Sequence, residues 1–194
     1  MIQTILRLRR HAAALSFASA AVFAAMTMLE FLYFRRLSGG MSSLDLRFWG
    51  FSESEGFAWV AGLGRPGAET ILVWHYLTFD LVFPTLLSAT LVSLILKSGD
   101  RLPRFSTLSD RLRATLALVL VLPYTISDYA QNLVVARILS DPPSAGAEAM
   151  ALASGLIVVK FAFLAVPVIT IAALVLAARR ARPNSADLGS HGAS

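Results

Sequence analysis

Four long apolar runs constrain this chain more than any other feature of its sequence. They lie at about residues 11–34, 71–97, 114–138 and 148–178, and each exceeds the roughly 20 residues that a helix needs to cross a hydrocarbon layer. Composition agrees: 56% of the residues are hydrophobic, 15% are charged and the mean hydropathy is +0.67, outside the range of a soluble domain. The expected fold is therefore all-α, a membrane four-helix up-down-up-down bundle. Residues 1–182 form a single transmembrane domain on this reading, and "PNSADLGSHGAS" at 183–194 reads as a disordered cytoplasmic tail. The last run is longer than a crossing requires, so it is expected to tilt or protrude. With no cysteine, disulfides, thiolate metal sites and thiol redox chemistry are excluded.

The formal net charge of +5 raises the question of nucleic acid, but the cations are placed otherwise. Arg7, Arg9 and Arg10 precede the first run, Lys97, Arg101, Arg104, Arg111 and Arg113 fill the second connection, and Arg179, Arg180 and Arg182 follow the last. All fall on one side of an up-down-up-down path. On the other side Arg35, Arg36, Arg47 and Arg65 are balanced by Asp45, Glu53, Glu55 and Glu69. The positive-inside rule puts both termini in the cytoplasm, and no free basic domain remains for nucleic acid. A basic start followed by Ala18-Ser19-Ala20 resembles a cleavable signal peptide. The apolar run nevertheless continues to Phe34, and Ala12, Ser16, Ala20 and Ala24 make a small-residue stripe for a neighbouring helix, which favours a retained span.

The segment between the first two runs carries Phe48, Trp49, Phe51, Phe57 and Trp59, the aromatic load of a headgroup region. Ser52 and Glu55 make a capping box, and Gly62, Gly64 and Pro66 supply a stop, so a short interfacial helix of about ten residues is expected in this first outer loop. It reads either as an anchor or as a lid over whatever the helices enclose. The basic connection "SGDRLPRFSTLSDRLR" suits anionic lipid headgroups.

Within the third run, "PYTISDYAQN" is unlike lipid-facing sequence. Tyr124, Thr125, Asp128, Gln131 and Asn132 recur at steps of three and four, forming one polar stripe on an apolar helix. Counted from the outer surface, Asp80, Asp128 and Lys160 lie at depths of roughly 14, 15 and 18 Å. Three charges facing lipid at that level would cost on the order of 8 to 10 kcal/mol, whereas mutual burial is far cheaper. Pro84 removes the amide that would bond the Asp80 carbonyl, leaving that oxygen free, and Pro123 and Pro167 do the same for Val119 and Phe163. Two carboxylates against one ammonium leave one net negative charge, and Glu30 near the outer end of the first run adds to it. A shared proton or a bound cationic group would restore the balance.

The plain alternative is an ion-pair network that holds helices in register, with each polar contact contributing about 0.6 to 2 kcal/mol. A metal site is disfavoured because His75 and Asp80 lack the three- or four-residue spacing of a helical ligand pair, and His75 near the outer interface reads as solvated. Neither a hydrolytic triad nor haem ligation finds partners at depth, and no cofactor is implied.

"FDLVFP" at 79–84, "SDYAQN" at 127–132 and a lysine in the fourth run together resemble a group of bacterial four-span membrane proteins with an acid-plus-proline second helix and an Asp-Tyr-x-x-Asn-like third helix. That resemblance implies no activity; the expected location is the bacterial inner membrane. The architecture is also similar to four- and five-span sterol isomerase-like proteins, which imply buried acids acting on a lipidic ligand. Three functions follow as expectations. The first is a binding or transport protein in which Asp80 and Asp128 hold a proton or the cationic part of an amphipathic, lipid-like ligand. Lys160 would set the local charge, Asn132, Gln131 and Tyr124 would orient the ligand, and a homodimer would be needed for transport. The second is an intramembrane acid-base enzyme. The third is a structural subunit with no ligand.

Overall fold

The computed structural model describes residues 1–181; the expected tail at 183–194 lies outside the described residues. The chain is all-α, with no strand among the described residues. Four helices there are long and apolar enough to cross a membrane: Ile2–Leu37, Glu53–Gly99, Asp110–Ser140 and Ala147–Arg180, here the first to fourth helices. They make this a multi-pass membrane protein. Large apolar side chains such as Phe17, Ile126, Leu133 and Ile169 point outward along them, the sheath expected of helices solvated by lipid.

Side-chain contacts give the register. Arg9 pairs with Asp100 at 2.8 Å, Ser19 shares a hydrogen bond with Thr90 at 2.8 Å, and Phe23 stacks on Phe83, so the first and second helices run antiparallel. Ser88 meets Thr125 at 2.6 Å and Asn132 reaches the Asp80 carbonyl, reversing direction again between the second and third helices. The third and fourth helices form the closest pair, joined by the short turn at Pro142–Ser144. The result is the expected up-down-up-down bundle. Its interior has two apolar clusters. An outer one gathers Phe34, Leu44, Trp59, Tyr76, Ile138 and Met150, and an inner one gathers Leu6, Ile95, Leu96, Ala117 and Val121. The charged layer lies between them.

The first outer loop bends back onto the bundle. Ser52 caps the helix after it, its hydroxyl accepting from the Glu55 amide while Glu55 accepts from the Ser52 amide. That short helix ends at Gly64, whose φ of 59° and ψ of −179° belong to a region essentially reserved for glycine. Beyond the break the chain is helical again through Pro66 and Ile71, so the part of the second helix that follows the kink begins before residue 71. Gly50 is a second position that favours glycine. Its φ is 85°, and a Cβ there would come within 2.7 Å of the Ser154 hydroxyl. That hydroxyl accepts from the Phe51 amide and donates to the Phe51 carbonyl, both at 2.8 Å, fastening the loop to the fourth helix.

Two sequence expectations change here. Trp59 is not a headgroup-level aromatic but is fully buried in the outer cluster, because the short helix turns its Trp59, Val60 and Leu63 face inward. On the first helix, Ala12 and Ser19 make the close approach, while Ala20 and Ala24 are exposed. Ala20 lines a cavity instead.

Candidate functional site

The site begins with a change of helical pitch. From Leu72 to Phe79 the second helix widens into a π-helix, and the Asp80 amide donates to the carbonyl of His75, five residues back. In that geometry residues five apart share a face, as three or four apart do in an α-helix. His75 and Asp80 are therefore neighbours, with Nε2 3.4 Å from Oδ2. The spacing objection to this pair assumed a regular α-helix, and the widened turn removes it. His75 is not solvated either. It is buried, held edge-on by Phe34 and Tyr76 at centroid distances of 5.7 and 4.9 Å.

The fourth helix supplies the cation. Lys160 Nζ donates to Gln131 Oε1 at 2.7 Å and to Asp45 Oδ1 at 3.1 Å, and it pairs with Asp128 Oδ1 at 2.8 Å. An ammonium has three donors, and all three are engaged. Lys160 is thus a fixed organising charge, not a free nucleophile. Asp80 is reached through His75 and Asp45 and not by a direct pair with the lysine.

Asp45 is the residue that the sequence did not single out. It lies on the short turn Leu44–Leu46 of the outer loop, with a side chain only 12% exposed. Besides Lys160, it accepts a short hydrogen bond from the Tyr76 hydroxyl and lies 3.4 Å from His75 Nε2. Burial alone would raise its pKa, but Lys160, His75 and the Tyr76 hydroxyl outweigh that and hold it well below the usual carboxylate range. The loop is therefore part of the site. Its "LDL" context, an acid between two leucines, is the one local signal that it turns inward.

The other expected residues divide. Asp128 and Tyr124 border the same cavity as Asp45, His75, Asp80 and Lys160. Gln131 is fully buried behind Lys160, and Asn132 Nδ2 donates to the freed Asp80 carbonyl at 3.3 Å; both brace the site from behind. Glu30 also lines the cavity, and its Oε1 accepts from the Ser43 amide at 2.9 Å and lies 3.5 Å from Arg35 Nε. That arginine offsets its charge.

The cavity has a volume of about 480 Å³. One end carries the acids and His75; the remainder is walled by Ala20, Phe23, Phe83, Leu87 and Leu164. All four helices and the loop that carries Asp45 contribute to its lining. At the polar end three carboxylates face one ammonium, leaving two net negative charges when His75 is neutral. Neither nitrogen of His75 has a hydrogen-bond partner among the described residues, and Nε2 keeps only the long 3.4 Å ionic contacts to Asp45 and Asp80. A buried imidazole in that condition is costly unless something else engages it.

Comparison with known protein families, curated proteins and solved structures finds no match for this chain. The functional reading rests on the chemistry of the site.

Proposed function

We propose that this is an inner-membrane binding or transport protein, both termini cytoplasmic, that takes an amphipathic ligand into the cavity enclosed by its four helices and first loop. A cationic group lies against Asp45, Asp80 and Asp128, and an apolar tail fills the part walled by Phe23, Leu87 and Leu164. The observation that carries this reading is the union of an excess of buried negative charge with apolar walls in one cavity. Small-molecule sites are of this size and combine apolar walls with a few convergent polar groups. Binding needs only the single chain; transport across the bilayer is assigned to a homodimer. The basic second connection and helix ends support the orientation.

The test is thermal stability of the detergent-purified protein against long-chain amines and the matching alcohols. The amines are expected to raise Tm in the wild type, the alcohols to do so far less, and Leu164→Trp, which fills the chamber, to abolish the response. Equal responses to amine and alcohol, or a Leu164→Trp response like that of the wild type, would sink the reading. A second reading, an intramembrane acid-base enzyme on a lipid-like substrate, is favoured by the unpartnered His75 between two carboxylates. Product formed from a supplied lipid, lost in Asp80→Asn, separates it from binding alone.

A further inference from the structure

Beside the cationic group of an amphipathic ligand, the acid cluster can hold an ion of its own, and the arrangement around His75 shows where. His75 Nε2 is 3.4 Å from Asp45 Oδ2 and 3.4 Å from Asp80 Oδ2. Ligand atoms from all three residues lie within 4.8 Å of one another. Both contacts are longer than the roughly 2.7 to 3.2 Å of an ordinary N–H···O hydrogen bond, and neither qualifies as one. A tetrahedral metal with bonds of about 2.0 to 2.2 Å sets its ligand atoms about 3.3 to 3.6 Å apart, which matches both contacts.

Three independent features agree. First, the imidazole is buried, with side-chain exposure of 7%, and neither of its nitrogens has a hydrogen-bond partner among the described residues. Second, the excess charge of the polar layer with His75 neutral is two, which a divalent ion cancels and a monovalent one does not. Third, the carboxylate of one ligand and the backbone of the other are held from behind. The Tyr76 hydroxyl and Lys160 fix Asp45, and Asn132 bonds the backbone carbonyl of Asp80. Metal ligands need such orientation from the groups behind them. One imidazole with two carboxylates suits a Zn²⁺-like transition metal better than Mg²⁺ or Ca²⁺, which favour all-oxygen cages.

We infer that Asp45, His75 and Asp80 bind one divalent transition metal ion, with a coordination position open to the apolar cavity. This deepens the reading of the cavity as a cation-plus-tail site and rests on it only for the assignment of what fills the open position. Three ligands with an open fourth position is the pattern of a metal that meets another molecule, in contrast to a closed structural site.

The experiment uses the untagged full-length protein in detergent, stripped with chelator and titrated with Zn²⁺, then with Co²⁺ as a spectroscopic probe. One equivalent of metal per chain is expected, with Co²⁺ giving the intense visible absorption of a four-coordinate site. His75→Ala and Asp80→Asn are each expected to weaken Zn²⁺ binding by at least about tenfold, and Tyr76→Phe by about tenfold through the carboxylate it orients. Asp80→Asn is nearly isosteric, and its Tm shows whether it is folded. Zn²⁺ binding that is undiminished in folded Asp80→Asn and His75→Ala, or weak six-coordinate Co²⁺ without an imidazole ligand, overturns the inference. Long-chain amines report separately. If they still stabilise the wild type while metal binding fails, the metal is wrong and the cavity reading stands. If metal binds as expected and no amine or lipid is taken up, the metal stands and the amphipathic reading fails.

Discussion

At the scale of residues, the polar layer is governed by Lys160. Its ammonium is buried against Asp45, Asp128 and Gln131, so removing it leaves two carboxylates in a poorly solvated layer without their counter-charge. Breaking a buried pair from one side typically costs about 3 to 5 kcal/mol. Lys160→Met is therefore expected to lower stability by about that amount, read from unfolding in mixed detergent. Asp128→Asn/Lys160→Met, which removes both charges, should cost clearly less than the sum of Asp128→Asn and Lys160→Met alone. An additive double variant would show that the pair is not coupled. Depth counting was enough to bring Asp128 and Lys160 together, because each sits on a regular helix whose rise per residue is fixed. Asp45 was not legible in the same way. It belongs to a loop, where no periodicity reports direction, and the charge balance of that segment makes it look like one of several solvated acids.

At the scale of elements, two departures from α-helical regularity build the site, and only one announces itself. Pro84 is visible in the sequence, and its consequence follows from the missing amide: the Asp80 carbonyl is open, and Asn132 takes it. The π-helix over Leu72–Phe79 is silent, since nothing in "LVWHYLTF" breaks an α-helix. That is why His75 and Asp80 read as mismatched when they are paired. The Pro84 device can be checked by a double-mutant cycle. Asn132→Ala should cost about 1 kcal/mol in the wild type, the net value of one buried hydrogen bond. In a Pro84→Ala background the restored amide competes for the same carbonyl, so most of that cost should vanish. Equal costs in both backgrounds would mean that Asn132 acts elsewhere.

At the scale of the whole molecule, the fold was legible from four hydrophobic lengths, and what the cavity can do depends on which side of the membrane its polar end faces. The acids lie towards the end of the bundle closed by the first outer loop, while the arginines gather at the other end, where Asp100 joins Arg9 and Arg113 at 2.8 Å each. If the positive-inside rule governs insertion, the polar end is nearer the external face, and an ion or headgroup arriving from outside crosses only the loop that carries Asp45. The chain has no cysteine, so single reporters are unambiguous. Ser54 and Ser106 are both exposed, one beside the outer loop and the other in the basic connection. In intact spheroplasts Ser54→Cys should react with a membrane-impermeant maleimide and Ser106→Cys only after the membrane is broken. The reverse pattern would turn the cavity towards the cytoplasm and make its supply an intracellular one. Labelling of both in intact spheroplasts would show mixed insertion, and the arginines would then have failed to fix a single orientation.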